Sequence, residues 1–155
     1  MKALICGSFD PVTNGHIDII KRTSALFDSV TVGIFVNSEK KYLFDAEKRL
    51  ELLNEATKGI KNVKAEICEG LVARYIERNG IDVIVKGIRN TADYEYELEM
   101  AKINKSIYEK AETLLMPASK ETDFLSSGFV KTMFFSGEDI TAFVPKCVKK
   151  ALEEI

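Results

Sequence analysis

Short apolar runs alternate along the chain with stretches whose apolar residues recur every three or four positions. Ala3–Cys6 and Val30–Val36 are continuous apolar or β-branched runs that end in Gly, Asn or Ser, as expected of strands buried on both faces. Asp82–Val85 and Thr113–Met116 share that density, while Val63–Ile67 alternates and therefore predicts a strand nearer a sheet edge. Between these runs, Ile17, Ile20, Ser24 and Phe27 repeat at helical spacing, as do Leu50, Leu53 and Ala56 behind an Asp45 cap. Leu71–Asn79 closes at Gly80, a natural residue for a helix C-terminus, and Ala92–Lys105 carries Tyr94, Leu98 and Ala101 on one stripe. Ser126–Ser136 ends at Gly137, and a last helix begins near Pro145, where proline suits the first turn.

Strands that alternate with helices imply right-handed crossovers and a parallel sheet covered on both sides. The predicted class is α/β, a doubly wound five-stranded parallel sheet of Rossmann-like type. No repeat, low-complexity segment or Gly/Ser/Pro-rich linker interrupts residues 1–155, so one domain is expected. At 46% apolar content, a chain of this length can bury a self-sufficient core without disulfides or a structural metal.

Charge and cysteine usage narrow the setting. The 22 basic residues nearly balance the 24 acidic ones, for a net charge of −2, which argues against a nucleic-acid-binding face but leaves room for a few cations in one pocket. The uncharged run Ser29–Ser38 falls well short of the roughly 20 residues a membrane-spanning helix needs, so no membrane association is expected. The start MKALIC is too short for a secretory signal, and Cys6, Cys68 and Cys147 are odd in number without CxxC spacing; a reducing cytoplasm fits best.

Open parallel sheets bind ligands outside the carboxyl ends of their strands, near the topological switch point. The segments to inspect are therefore 7–16, 37–44, 69–70, 86–91 and 117–127. The first reads GSFDPVTNGH, which is neither GxGxxG nor GxxxxGK[ST]. Its two glycines, its hydroxyls and His16 nevertheless stand beside a helix start, where free N–H groups and the helix dipole favour an anion. His16 is the only histidine; a partly exposed helix-start residue is the plain alternative.

Cations from other loops converge on the same rim: Lys40 and Lys41 after the second strand, Lys86 and Arg89 after the fourth. Lys40 and Lys41 read equally well as solvated surface lysines. Lys86 directly follows Val83-Ile84-Val85 and so stands at the mouth of a buried strand, while Arg89 offers a planar fork to a phosphate. Ser119, Thr122, Ser126, Ser127 and Gly128 add hydroxyls and backbone donors ahead of another helix, against which ordinary serine capping is an equal reading. The carboxylates of Asp93, Glu95, Glu97 and Glu99 fall on two helix faces and read as a solvated or subunit-contact surface. The cysteines lack metal spacing with His16, and there is no GxSxG elbow, so no metal ligands are assigned and nucleotide chemistry is what survives.

These residues carry a resemblance. GSFDPVTNGH, ending in an (H/T)xGH element, resembles the phosphate-binding signature of the nucleotidyltransferase superfamily. Joined in order by Lys40-Lys41, VKGIRN at 85–90, ADYEYE at 92–97 and FLSS at 124–127, it is similar over essentially the whole chain to the phosphopantetheine adenylyltransferases. The resemblance implies transfer of the adenylyl group of ATP to the phosphate of phosphopantetheine, giving dephospho-coenzyme A and pyrophosphate, with Mg²⁺ as cofactor. It implies that Ser8, Phe9, His16, Gly87, Ile88, Arg89, Glu97, Thr122, Asp123, Phe124, Leu125, Ser126, Ser127 and Gly128 bind ATP. It further implies that Ser8, Lys40, Val72 and Lys86 bind phosphopantetheine and that His16 steadies the transition state. A homohexamer restrained by coenzyme A is the corresponding expectation for assembly and control. The chain departs from the common pattern at Cys6, where proline is usual, at Ser8, which replaces a frequent threonine, and at Gly128, which ends a run that is typically three serines.

That reaction needs no general base, because a phosphate monoester with a second pKa near 6 is mostly a dianion at pH 7. The protein has to position two polyanions and neutralise them. His16, Lys40 and Arg89 are accordingly expected to act as catalytic residues: His16 toward the α-phosphate, Lys40 with Lys86 toward the acceptor, and Arg89 toward the ATP phosphates. Mg²⁺ is expected to bridge nucleotide phosphates and retained waters rather than sit in a carboxylate cage.

Overall fold

The apolar runs form the five strands β1 (Lys2–Gly7), β2 (Ser29–Phe35), β3 (Val63–Cys68), β4 (Val83–Ile88) and β5 (Glu112–Pro117). All are parallel, in the order β3-β2-β1-β4-β5, which places the alternating Val63–Ile67 segment on an edge as its pattern predicts. The computed structural model describes residues 1–37 and 39–155; Ser38, in the segment that follows β2, lies outside the described residues.

Side chains alternate across the sheet and divide the core. Ala3, Ile5, Val30, Val32, Ile34, Val83 and Val85 face a layer made by α1 (Asn14–Leu26), α2 (Ala46–Thr57), α5 (Ser127–Phe135) and α6 (Lys146–Glu153). Leu4 and Ile84 face the opposite layer, where α3 (Val72–Asn79) supplies Tyr75 and Ile76 and Tyr108 follows α4 (Thr91–Ile107). Gly33 of β2 is required by packing: a Cβ there would lie 2.8 Å from Cys68 Sγ and 2.9 Å from the Phe35 ring.

Helix ends follow local chemistry. Asp45 accepts from the Lys48 N–H and caps α2, Ser126 accepts from the Phe129 N–H and caps α5, and Gly80 closes α3 in the left-handed conformation. α4 departs from its predicted pattern: its expected apolar stripe is not covered, since Tyr94 is 44% and Leu98 36% exposed and Asn104 is its one buried residue. The helix lies over β4 and the edge strand β5 and touches α3, and among the described residues no strand lies beyond that edge to cover its outer side.

The feature that places a site is a parting of the sheet. β1 and β4 pair only at Ala3 with Val83, Leu4 with Ile84 and Ile5 with Val85, whereas β4 stays paired with β5 to Ile88 and β1 with β2 to Gly7. Lys86, Gly87 and Ile88, expected in a loop, are therefore strand residues held from one side only. The two central strands separate at their carboxyl ends, where the chain winds in opposite directions.

Candidate functional site

The parting opens a crevice of about 280 Å³ walled by both strand ends, the start of α1 and the segment that leads into α5. Ser8, Phe9, His16, Lys86, Gly87, Arg89, Glu97, Thr122, Leu125, Ser126 and Ser127 line it, together with Thr13, Gly15 and Asp93. Residues from four separated stretches of sequence thus meet at one edge. Lys40, which is exposed, lies outside this lining, and so do Val72 at the start of α3, Ile88, Asp123, the half-exposed Phe124 and Gly128.

His16 is fixed by a reciprocal cap. The Thr13 N–H donates to His16 Nδ1 at 2.9 Å, and the His16 N–H donates to Thr13 Oγ1 at 3.3 Å. Because a backbone N–H can only donate, Nδ1 carries no proton, and Nε2 of the neutral ring is the donor. Phe9 packs edge-on against the ring, with centroids 5.0 Å apart. Burial first, then the nearby charges of Arg89 and Lys86, push the imidazole down to about 4, so it is uncharged at neutral pH. The Gly15 N–H at the start of α1, and the Ser127 and Gly128 N–H groups at the start of α5, have no partner among the described residues.

The cations are held before any ligand arrives. Lys86 Nζ lies 3.2 Å from Glu97 Oε1 and donates to the Cys6 carbonyl at 3.2 Å. Burial works against its charge, while the Glu97 carboxylate beside it favours it through charge and a hydrogen bond, and the balance raises its pKa. The Cys6 thiol is itself pushed up by burial and stays neutral, so Glu97 is the partner that keeps Lys86 protonated. Arg89 grips Asp93 through Nε at 2.8 Å and Nη2 at 3.0 Å, and Nη1 donates to the Leu125 carbonyl at 3.1 Å. That bidentate bond lowers the Asp93 pKa and raises that of Arg89.

Three sequence readings change at this level. Asp93 and Glu97, read there as part of a solvated or contact surface, turn inward at i, i+4 spacing and pair with the crevice cations; Glu95 and Glu99 do remain exposed. The hydroxyls expected to supply phosphate donors are partly committed: Ser119 donates to Asp18 at 2.7 Å, Ser127 donates to the Pro11 carbonyl at 2.7 Å and Thr122 donates to the Ser119 carbonyl at 3.2 Å, whereas Ser126 caps α5 as an acceptor and keeps its own O–H to give. The Ser126 O–H and backbone N–H groups are what remain there. Cys6, marked in the sequence only as a departure from proline, also receives Lys86 through its carbonyl, with its Sγ 3.8 Å from Nζ.

Asp10 and Arg49 escaped sequence reasoning. Asp10, 3% exposed, accepts the Leu43 N–H at 2.8 Å and the Phe44 N–H at 3.0 Å and so fastens the end of the segment after β2 to the first loop. Arg49 is fully buried in α2 and donates to the Ser8 carbonyl at 2.8 Å. The one available signal was an arginine amid the apolar spacing of an otherwise amphipathic helix.

Among the described residues, no group of three or more His, Cys, Asp and Glu side chains is placed to hold a metal, and no helix is long and apolar enough to cross a membrane. The donor set suits a cation that arrives on its ligand, because both crevice carboxylates are engaged by Lys86 and Arg89.

Residues 4–133 match the cytidylyltransferase-like family. A phosphopantetheine adenylyltransferase from Thermotoga neapolitana is 44% identical over 99% of this chain and 96% of its own length. One from Clostridium novyi is likewise 44% identical, with the same coverage of both chains. Among solved structures, a Vibrio parahaemolyticus protein named for nicotinate-nucleotide adenylyltransferase superposes with a TM-score of 0.75 at 20% identity, covering 99% of this chain and 91% of that one. At that identity the likeness is one of fold.

Proposed function

Because the chain belongs to the phosphopantetheine adenylyltransferase family, we infer that it transfers the adenylyl group of ATP to the phosphate of phosphopantetheine, giving dephospho-coenzyme A and pyrophosphate. The observation that carries this reading is the parting of β1 from β4, which gathers a neutral imidazole donor, a lysine and an arginine around one crevice. Their separation along the chain leaves no simpler purpose for the convergence.

In this reading the acceptor phosphate, a dianion at neutral pH, attacks the α-phosphorus of ATP and pyrophosphate leaves from the opposite side. The crevice offers no general base, and the step needs none. His16 donates through Nε2–H to an α-phosphate oxygen, where negative charge is redistributed as the fifth bond forms. A neutral donor suits this role, since it needs no proton transfer and is already aimed. Arg89 faces the ATP phosphates, and the unpartnered N–H groups of Gly15, Ser127 and Gly128 add the positive ends of two helices. Lys86 receives the acceptor phosphate at the strand mouth, with Lys40 joining from the exposed segment after β2 and Val72 on the same side.

Asp93 and Glu97 hold Arg89 and Lys86 in place, so cationic forks are aimed without the cost of ordering them on binding. Mg²⁺ belongs to this reading as a cation that would enter with the nucleotide rather than be held by crevice carboxylates, and would supply charge neutralisation. Exposed apolar side chains at this edge, Tyr94 and Leu98 on one side of α4, Ile103 on another and Leu114 on the other face of β5, support assembly into a homohexamer. Restraint by coenzyme A, which shares chemistry with the product, and a cytoplasmic setting complete the proposal.

Mixing the protein with ATP and phosphopantetheine tests it: pyrophosphate should appear only when both are present. Release with ATP alone, or with a mononucleotide acceptor in place of phosphopantetheine, would contradict the reading.

A further inference from the structure

The buried cation that the mechanism leaves unused is Arg49. It is 1% exposed and the largest fully buried side chain of the protein. Its Nε donates to the Asp45 carbonyl at 3.2 Å, Nη1 donates to the Ser8 carbonyl at 2.8 Å, and the guanidinium lies 4.0 Å from the centre of the Tyr42 ring. Among the described ion pairs, no carboxylate approaches it within 4.0 Å. A buried charge without a counter-ion is costly to keep, so its position calls for a purpose beyond packing.

We propose that Arg49 is a positioning residue of the site, fixing the Ser8–Phe9 peptide so that the Phe9 N–H faces the crevice as an anion donor. The inference rests on reading that crevice as the place where nucleotide phosphates bind. In a trans peptide the carbonyl and the following N–H point in opposite directions. With the Ser8 oxygen drawn toward Arg49 on α2, the Phe9 N–H is turned the other way, and Ser8 and Phe9 both line the crevice. That N–H has no partner among the described residues.

The backbone at Phe9 supports the same conclusion. Its φ is +49°, in the left-handed region that a bulky aromatic residue seldom adopts, so the peptide must be pinned from outside. The Arg49 bond pins its oxygen end, and the Phe9 ring against His16 pins the side chain. A charged donor on the carbonyl also polarises the peptide and strengthens the N–H as a donor on the far side. Arg49 thereby acts on the phosphates through a peptide it never lets move.

Three measurements decide the matter, each made beside a melting curve. R49M should raise the KM for ATP by about tenfold, as expected for a misplaced donor, with the KM for phosphopantetheine changed far less. R49K keeps the charge without the fork and should fall between wild type and R49M. In the wild type, titration with inorganic pyrophosphate should shift the Phe9 amide resonance downfield. Lower melting temperatures with unchanged kinetic constants would make Arg49 purely structural and overturn the proposal, and so would an unmoved Phe9 amide. If R49M does not fold, R49K and the wild-type titration still decide. Failure of the wild type to form dephospho-coenzyme A would instead remove the reading of the site on which the proposal stands.

Discussion

The Thr13 N–H donates to Nδ1 of His16 at 2.9 Å, and this one bond decides what His16 can do. It fixes the tautomer, leaves Nε2–H as the only ring donor, and holds the imidazole at the start of α1 while Phe9 covers its flank. His16→Ala should therefore lower kcat by roughly 10²–10³-fold, as for loss of one transition-state donor, with a smaller effect on ATP affinity. Steady-state kinetics on a variant with an unchanged melting curve checks this; an unaltered kcat would remove His16 from the chemistry.

The same ring makes a prediction about acidity. Folded, it titrates at about 4, against about 6.5 when exposed. Between those values the unfolded chain binds a proton that the folded chain refuses, so stability is full above pH 6.5 and declines as pH falls toward 4. The effect is at most about 3.5 kcal/mol, since one pKa unit corresponds to about 1.4 kcal/mol. Urea unfolding at pH 7.5 and pH 4.5 should show wild type losing more stability than His16→Gln over that interval, and parallel losses would contradict the assigned burial.

Lys40 and Lys86 are assigned to the same acceptor phosphate from different settings. Each alanine variant should raise the KM for phosphopantetheine more than that for ATP. Lys40 is exposed, whereas Lys86 is partly buried beside Glu97. Added salt should therefore diminish the Lys40→Ala effect more than that of Lys86→Ala. A KM increase confined to ATP would mean that the two lysines serve the other substrate.

Gly87 allows β4 to approach α1 closely. A Cβ there would lie 3.0 Å from Ile19 Cγ1, on the helix that also carries His16. Gly87→Ala should cost about 1–3 kcal/mol through overpacking and lower kcat by shifting that helix. Against an Ile19→Ala background, which lacks both the Cγ1 and Cδ1 atoms that meet the new methyl group, Gly87→Ala should cost less in both respects, so that part of each loss is recovered. No recovery would locate the defect elsewhere.

How much of this the sequence discloses depends on the range of each interaction. Strands such as Val30–Val36 and helix signals such as Asp45, Ser126 and Gly80 are legible because a few neighbouring residues settle them. The strand-helix alternation then points to the carboxyl edge of the sheet, where His16, Lys86 and Arg89 do meet. What stays hidden depends on distant partners. Lys86 belongs to β4 because β5 pairs with it to Ile88, and Asp93 and Glu97 turn inward because the separated strands leave two cations for them. Asp10 and Arg49 each bind backbone from segments more than thirty residues away, as Asp10 with Phe44 and Arg49 with Ser8, and no local pattern marks that. The hydroxyls before α5 stay ambiguous in the sequence, because capping and phosphate binding call for the same residue types.

The central claim is that ATP lies in the parting between β1 and β4 with its α-phosphate at His16. A crystal structure with an α,β-methylene analogue of ATP and Mg²⁺ tests it most directly. The account predicts an α-phosphate oxygen about 2.7–3.2 Å from His16 Nε2, with Arg89 on the outer phosphates. Nucleotide bound outside this crevice, or an imidazole turned away from the α-phosphate, would contradict it.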